Sequence, residues 1–170
     1  MGARGQKRRY SGRLSLVHPL PRRVVLDTNV VLDLAVFHEP SCAWLLQRIE
    51  SGEALALTNR ACWSELERVL AYPQLKLDIS AQRTVLQWCE ARLQRVEDHT
   101  TDSATCPLRC HADPDDQKFL DLAWMSNANF LLTHDLALLK LASAARRTGR
   151  FEILPPAQAQ RHRAFTAIPS

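Results

Sequence analysis

Apolar residues along this chain recur at two spacings, and the changes from one to the other divide it into elements. Residues 24–26, Val-Val-Leu, form a short apolar run entered from Pro21 and Arg23 and left through Asp27-Thr28-Asn29. A run this short and β-branched, bounded by polar residues, predicts a strand buried on both faces. Helical spacing follows from about Val30. It returns over 41–50, where Cys42, Leu45, Leu46 and Ile49 share a face until Gly52 stops the helix. Residues 54–58 predict a second strand and 60–71 a helix ended by Tyr72-Pro73. Ser80 is placed to cap a further helix running to about Leu93, and the polar stretch 95–112 reads as a strand stub followed by a loop. Asp113-Pro114 predicts the start of a helix to about Ser126, because Asp suits the cap and Pro the first turn. A strand at 130–133, a helix at 136–146 and a last strand at 151–154, stopped by Pro155-Pro156, complete the pattern.

Strands alternating with helices predict an α/β fold, a central parallel β-sheet flanked by helices on both faces. In such open sheets the functional crevice lies beyond the carboxyl ends of the strands, so polar residues just past a strand are the first to inspect. The chain has 170 residues, 46% of them apolar, which is enough for one domain with one core. No apolar run approaches the roughly 20 residues of a membrane span. The start is basic but lacks a sustained apolar stretch and a small-residue cleavage site, so it does not read as a secretory signal. Gln6 stands where a myristoylation signal wants Ser or Thr.

Charge refines this outline. The net charge is +4, from 22 Lys and Arg against 18 Asp and Glu. Seven of the basic residues (Arg4, Lys7, Arg8, Arg9, Arg13, Arg22, Arg23) precede residue 24, where there is no acid, and Arg161 and Arg163 lie near the other end. The body is therefore acidic. The expected organisation is a basic N-terminal arm at 1–22, a folded domain at 23–156 and a C-terminal tail at 157–170. Five cysteines (Cys42, Cys62, Cys89, Cys106, Cys110) at irregular spacing favour reduced thiols and a cytoplasmic setting. The Cys106-Pro-Leu-Arg-Cys110-His111 stretch has no second Cys/His pair to complete a zinc tetrahedron and reads as an incidental loop pair.

Four carboxylates stand out by position. Asp27 follows the first strand directly and Asp135 follows the 130–133 strand by two residues, so both reach one rim of a parallel sheet. Glu65 shares a helix face with Cys62, Leu66 and Val69, whereas Glu67 turns to solvent. Asp116 precedes Phe119, Leu120 and Ala123 by three, four and seven residues, which puts a carboxylate on an apolar stripe. That is unfavourable unless something compensates it. Taken singly, Asp27 and Asp135 serve equally well as helix caps, Glu65 as a boundary residue, and Asp115 with Asp116 as charges that suit a helix N-terminus. Taken together they repel, and no Arg or Lys neighbours them at matching positions, so the natural partner is a divalent cation. Oxygen ligands without His or Cys favour Mg²⁺ or Mn²⁺ over zinc.

The segments Val24-Val25-Leu26-Asp27-Thr28-Asn29-Val30, Glu65-Leu66-Glu67-Arg68-Val69-Leu70, Asp113-Pro114-Asp115-Asp116-Gln117-Lys118-Phe119-Leu120 and Leu131-Leu132-Thr133-His134-Asp135 with Leu138-Leu139 resemble, in order and spacing, the motifs of PIN-domain (PilT N-terminus) ribonucleases. Within that family the resemblance is nearest to VapC-like toxins of bacterial toxin-antitoxin systems. It spans about residues 23–156. His134 departs from the pattern, which commonly has a small residue there. The resemblance implies a three-layer PIN-like fold and a metal-dependent endoribonuclease whose catalytic and metal-holding set is Asp27, Glu65, Asp116 and Asp135, with Asp115 as an auxiliary and Asn29 and Thr133 orienting the carboxylates. It implies Mg²⁺ or Mn²⁺ as cofactor, RNA as substrate and a small antitoxin protein as partner.

Phosphate contacts are open on sequence grounds. The basic arm and Arg92, Arg95, Arg146, Arg147 and Arg150 are candidates, and a solvated surface explains them as readily. Trp44, Trp63, Trp88 and Trp124 are compatible with a homodimer and equally with core packing. Two other readings compete with the nuclease. A catalytically silent PIN-like module for RNA or protein binding is disfavoured by the intact acid set, and an aspartate-dependent phosphatase would want an acid where Asn29 stands.

Overall fold

A computed structural model of the chain describes residues 20–97 and 105–166. The expected basic arm falls outside them as far as residue 19. Five parallel strands, β1 (Arg22–Leu26), β2 (Ala54–Thr58), β3 (Leu93–Arg95), β4 (Phe130–Leu132) and β5 (Glu152–Leu154), form a single sheet in the order β3-β2-β1-β4-β5. Because strand side chains alternate between faces, each central strand feeds two cores. Val24, Leu26, Ala54, Ala56, Phe130 and Leu132 point into one, and Val25, Leu57 and Leu131 into the other. That double burial is why the strands read as continuous apolar runs rather than as alternating ones.

Helices fill both faces. α1 (Thr28–Ala35), α2 (Ala43–Glu50), α3 (Arg60–Leu70) and α4 (Ile79–Glu90) build the first core, through Val30, Val31, Leu34, Leu45, Leu66, Leu70 and Val85. α5 (Gln117–Met125), α6 (Leu136–Leu139) and α7 (Ala142–Thr148) cover the other face with Phe119, Leu120, Ala123, Leu138 and Ala145. The structure is thus the expected three-layer α/β arrangement. No helix among the described residues is long and apolar enough to cross a membrane.

Several boundaries differ from the sequence reading. The cap of α4 is Asp78, not Ser80: its Oδ1 accepts from the Ala81 amide at 2.7 Å, the bond an N-cap carboxylate is shaped to make. The same helix ends at Glu90, and Leu93 already belongs to β3, whose pairing with Ala56 outweighs the helical spacing of the segment. Asp113-Pro114 opens a 3-10 turn, Pro114–Asp116, before α5 begins. The expected helix 136–146 is divided into α6 and α7, with the Leu141 amide bonded back to the Leu138 carbonyl in the tighter i to i−3 manner. Leu138 and Ala145 both remain fully buried across the break, so apolar spacing could not reveal it. Gly52 does close α2, at φ +78°, a backbone conformation that L side chains rarely adopt.

Residues 157–166, assigned by sequence to the C-terminal tail, form most of α8 (Pro156–Gln160) and all of α9 (Arg163–Thr166). Ala159 and Phe165 are buried in the first core, where the Phe165 ring meets Trp44 and Phe130 with centroids 5.2 Å away in each case. The tryptophans are largely spent on packing within the chain. Trp63 is buried, Trp44 and Trp88 lie against the first core, and Trp124 lies against the second. All five cysteines are free and buried.

Candidate functional site

The strand order reverses direction at β1, which pairs with β2 on one side and β4 on the other. A crevice therefore opens at the carboxyl ends of β1 and β4. Register decides what lines it. Leu26 pairs with Leu132, so the next residues, Asp27 and Thr133, leave the sheet side by side. Both are buried, Asp27 at 3% and Thr133 at 0% exposure.

Thr133 joins the two strand-end carboxylates. Its hydroxyl donates to Asp27 Oδ2, and its oxygen accepts the Asp135 backbone N–H at 2.8 Å. The other Asp27 oxygen accepts the Asn29 amide at 2.6 Å, and Asp135 Oδ1 accepts the Ala137 amide at 2.5 Å. Each aspartate therefore does cap a helix, α1 and α6 respectively. Capping and site-building are compatible here, because the cap bond fixes one carboxylate oxygen and thereby aims the other. Asn29 contributes through its backbone, and its side chain is exposed.

Asp116 enters from the opposite layer, at the end of the 3-10 turn that precedes α5. Its Oδ2 is buried without a hydrogen-bond partner. Burial, with the charges of Asp135, Asp113 and Asp27 added to it, pushes its pKa up to about 7 against the opposing pull of Lys118. Asp27 is also raised, chiefly by burial and further by Asp135, although bonds from Thr133 and Asn29 favour its charged form. Asp27, Asp116 and Asp135 thus lie near enough for their charges to act on one another. Asp113, read from sequence only as a cap, adds a fourth negative charge nearby.

Glu65 sits apart from this trio in its bonding. Thr28 Oγ1 donates to its Oε1 at 2.8 Å, and Lys118 pairs with its Oε2. Both members of that ion pair are nearly covered, with side-chain exposures of 17% and 14%. The expectation that no Lys or Arg neighbours the carboxylates therefore fails at Lys118. The reason is tertiary: Lys118 lies on α5, bonds the Asp115 carbonyl and reaches across to α3. Thr28 was likewise passed over, although its position beside Asp27 was a usable signal. Asp115 offers its carbonyl to Lys118 and is itself exposed. Glu67 is exposed as expected and accepts from Trp63 Nε1 at 3.0 Å.

Of the basic candidates, Arg95 lies at the carboxyl end of β3, on the same rim as the carboxylates, with its guanidinium 4.4 Å from the centroid of Trp63. Arg92, Arg146 and Arg150 precede β3 and β5, towards the opposite end of the sheet. There Arg92 pairs with Glu50 and stacks on Trp88, Arg146 pairs with Glu152, and Arg150 stacks on Trp124.

One further group escaped the sequence reading. Among the described residues, Asp33, Cys42 and His134 bring one ligand atom each to within 4.8 Å of the others, a spacing that could hold a metal ion, and the carboxylate quartet is not a group of that kind. The departure at His134 was the available signal. Cys106, Cys110 and His111 form no such group: the two thiols are buried while His111 is exposed.

Comparison with known proteins bears on the whole arrangement. A family model described as PIN domain matches residues 23–137, a span that contains all four carboxylates. Among solved structures, the chain is similar to a crystal structure of VapBC2 from Rickettsia felis bound to a DNA fragment from their promoter. The TM-score is 0.53 and the identity 16%, over 77% of this chain and 96% of that one. At that identity the likeness concerns the fold. A search of curated proteins gave no match.

Proposed function

The chain belongs to the PIN-domain family, and from that premise we propose that it is a Mg²⁺- or Mn²⁺-dependent endoribonuclease acting in the cytoplasm, the toxin of a type II toxin-antitoxin pair. One observation carries the catalytic part of this reading. Asp116 Oδ2 is buried and unpartnered, and its pKa is raised first by that burial and then by the charges of Asp135, Asp113 and Asp27. Such a site is short of positive charge, and a divalent cation is the compensation that an all-oxygen donor set favours. Asp27, Asp116 and Asp135 would hold it. Glu65, already engaged by Thr28 and Lys118, would stand at its edge. When bound, a divalent cation makes an attacking water more acidic and neutralises charge developing on the phosphate.

The chain's own residues prepare the site for that chemistry. Thr133 bonds the Asp27 carboxylate and the Asp135 amide through one hydroxyl, so the ends of β1 and β4 cannot separate without breaking the bond to Asp27. Thr28 and Lys118 hold the Glu65 carboxylate from two sides, which fixes its rotamer before substrate arrives. Lys118 also brings a cation to a rim that must accept a polyanion, and Arg95 extends that positive edge along the sheet. Asp27 is buried and Glu65, Asp116 and Asp135 are half-buried, which strengthens the charge interactions among them.

The toxin assignment is supported by the motif resemblance and by the fold shared with the VapBC2 structure. Two assays test the proposal. Structured and single-stranded RNAs are incubated with the protein in Mg²⁺, Mn²⁺ or EDTA; metal-dependent internal cleavage is expected, and RNA binding without cleavage in any metal would point to a silent PIN-like module. The product of the neighbouring open reading frame, co-expressed, is expected to co-purify and to inhibit. Full activity in its presence would remove the toxin-antitoxin part of the reading.

A further inference from the structure

Asp33, Cys42 and His134 come from three separate pieces of chain. Asp33 lies on α1, Cys42 ends the 3-10 turn Pro40–Cys42 before α2, and His134 stands between Thr133 and Asp135. Asp33 Oδ2 lies at their centre, 2.9 Å from His134 Nε2 and 3.9 Å from Cys42 Sγ, and one ligand atom from each falls within 4.8 Å of the others. Their exposure is graded. Cys42 is fully buried, the Asp33 side chain is 19% exposed and that of His134 47%. The group therefore opens to solvent on the histidine side. The donors differ in kind from those of the carboxylate rim, since imidazole nitrogen, sulfur and one carboxylate oxygen form a set that suits Zn²⁺ and its relatives rather than Mg²⁺.

A hydrogen-bonded Asp-His pair above a buried thiol would by itself be an ordinary packing arrangement. The direction of the thiol argues for more. The Cys42 thiol is aimed at Asp33 Oδ2, the same oxygen that His134 Nε2 meets, so the three donors converge on one point, where a cation would take the place of the thiol proton.

From this geometry we infer that Asp33, Cys42 and His134 form a second metal site, selective for a zinc-class ion, with a fourth position open to solvent on the His134 side. Binding displaces the thiol proton to solvent, so that thiolate, carboxylate and neutral imidazole are the three ligands. The ion would tie α1 to the turn that carries Thr133 and Asp135, and so brace the catalytic rim from the side. This inference does not depend on the nuclease reading.

The test uses full-length protein, reduced, with Mg²⁺ in excess to occupy oxygen-only sites and Co²⁺ as the probe. About one equivalent of Co²⁺ is expected to produce a thiolate-to-metal charge-transfer band that Zn²⁺ abolishes by displacement. Cys42→Ser should lose the band. His134→Asn, altered at an exposed position and therefore safe for folding, should weaken Co²⁺ affinity by at least about ten-fold, since losing a ligand should weaken binding no less than losing a ligand's supporting partner does. Asp27→Asn should leave the band intact. Absence of the band in the wild type, its survival in Cys42→Ser, or its loss in Cys110→Ser with Cys42 present would each overturn the assignment. An unaltered affinity in folded His134→Asn would do the same.

Discussion

The half-buried Asp116 carboxylate makes a prediction that can be worked through with no metal present. Its pKa rises from 3.8 to about 7 in the folded chain. The folded state therefore holds a proton more tightly than the unfolded state between these values. Below about pH 4 the group is protonated in both states and has no effect. From about pH 4 to about 7 the unfolded chain ionises while the folded one still holds the proton, so stability falls across that interval and levels off above it, where the folded protein carries a half-buried, repelled charge. Three units at about 1.36 kcal/mol each set an upper bound of roughly 4 kcal/mol. The crevice is open to solvent on one side, and screening reduces this to about 2 kcal/mol. Asp116→Asn keeps the shape and removes the charge. In EDTA the variant should match wild type near pH 4 and exceed it by about 2 kcal/mol at pH 8, a Tm rise of roughly 4–8 °C for a chain of this size. Thermal unfolding followed by circular dichroism at both pH values reads this directly. A Tm difference that is the same at pH 4 and pH 8, or a variant less stable than wild type at pH 8, would refute the account of Asp116 as an uncompensated charge.

Other perturbations test the supports. Thr133→Val removes the hydroxyl shared by Asp27 and the Asp135 amide; stability should fall by about 1–3 kcal/mol in urea unfolding, and cleavage should fall more than binding, because the carboxylates lose their spacing. Lys118→Met leaves Glu65 charged and nearly covered, with a loss of about 1–3 kcal/mol that Glu65→Gln should largely rescue in a double-mutant cycle; additive effects would deny the pair its role. Phe165→Ala should destabilise the fold by about 3–5 kcal/mol, because its ring fills the space between Trp44 and Phe130; a neutral effect would show that α9 is dispensable to the first core.

Much of this molecule could be read from its sequence because parallel strands buried on both faces must be short and continuously apolar. The run Val24-Val25-Leu26 and the Ala54–Thr58 segment announced themselves in that way, and with them the rim on which Asp27 lies. Carboxylates just past strands could be located as well, since a strand end fixes position to within a residue. Contacts between layers were not legible. Lys118 reaches Glu65 from another helix, and linear spacing within α5 could not show it. Asp33, Cys42 and His134 are separated by 9 residues in one case and 101 in another, and each looked ordinary alone. The C-terminal helices were missed for a different reason. Their apolar residues, Ala159 and Phe165, are too few for a periodic pattern, and they matter because of what they cover.

The central claim is that Asp27 and its neighbouring carboxylates perform metal-dependent RNA hydrolysis. The most direct measurement compares RNA cleavage by wild type and Asp27→Asn in Mg²⁺, with EDTA as control and circular dichroism to confirm that both are folded. Cleavage by wild type in Mg²⁺, none in EDTA and none by the folded variant is the predicted result. Undiminished cleavage by folded Asp27→Asn would contradict it.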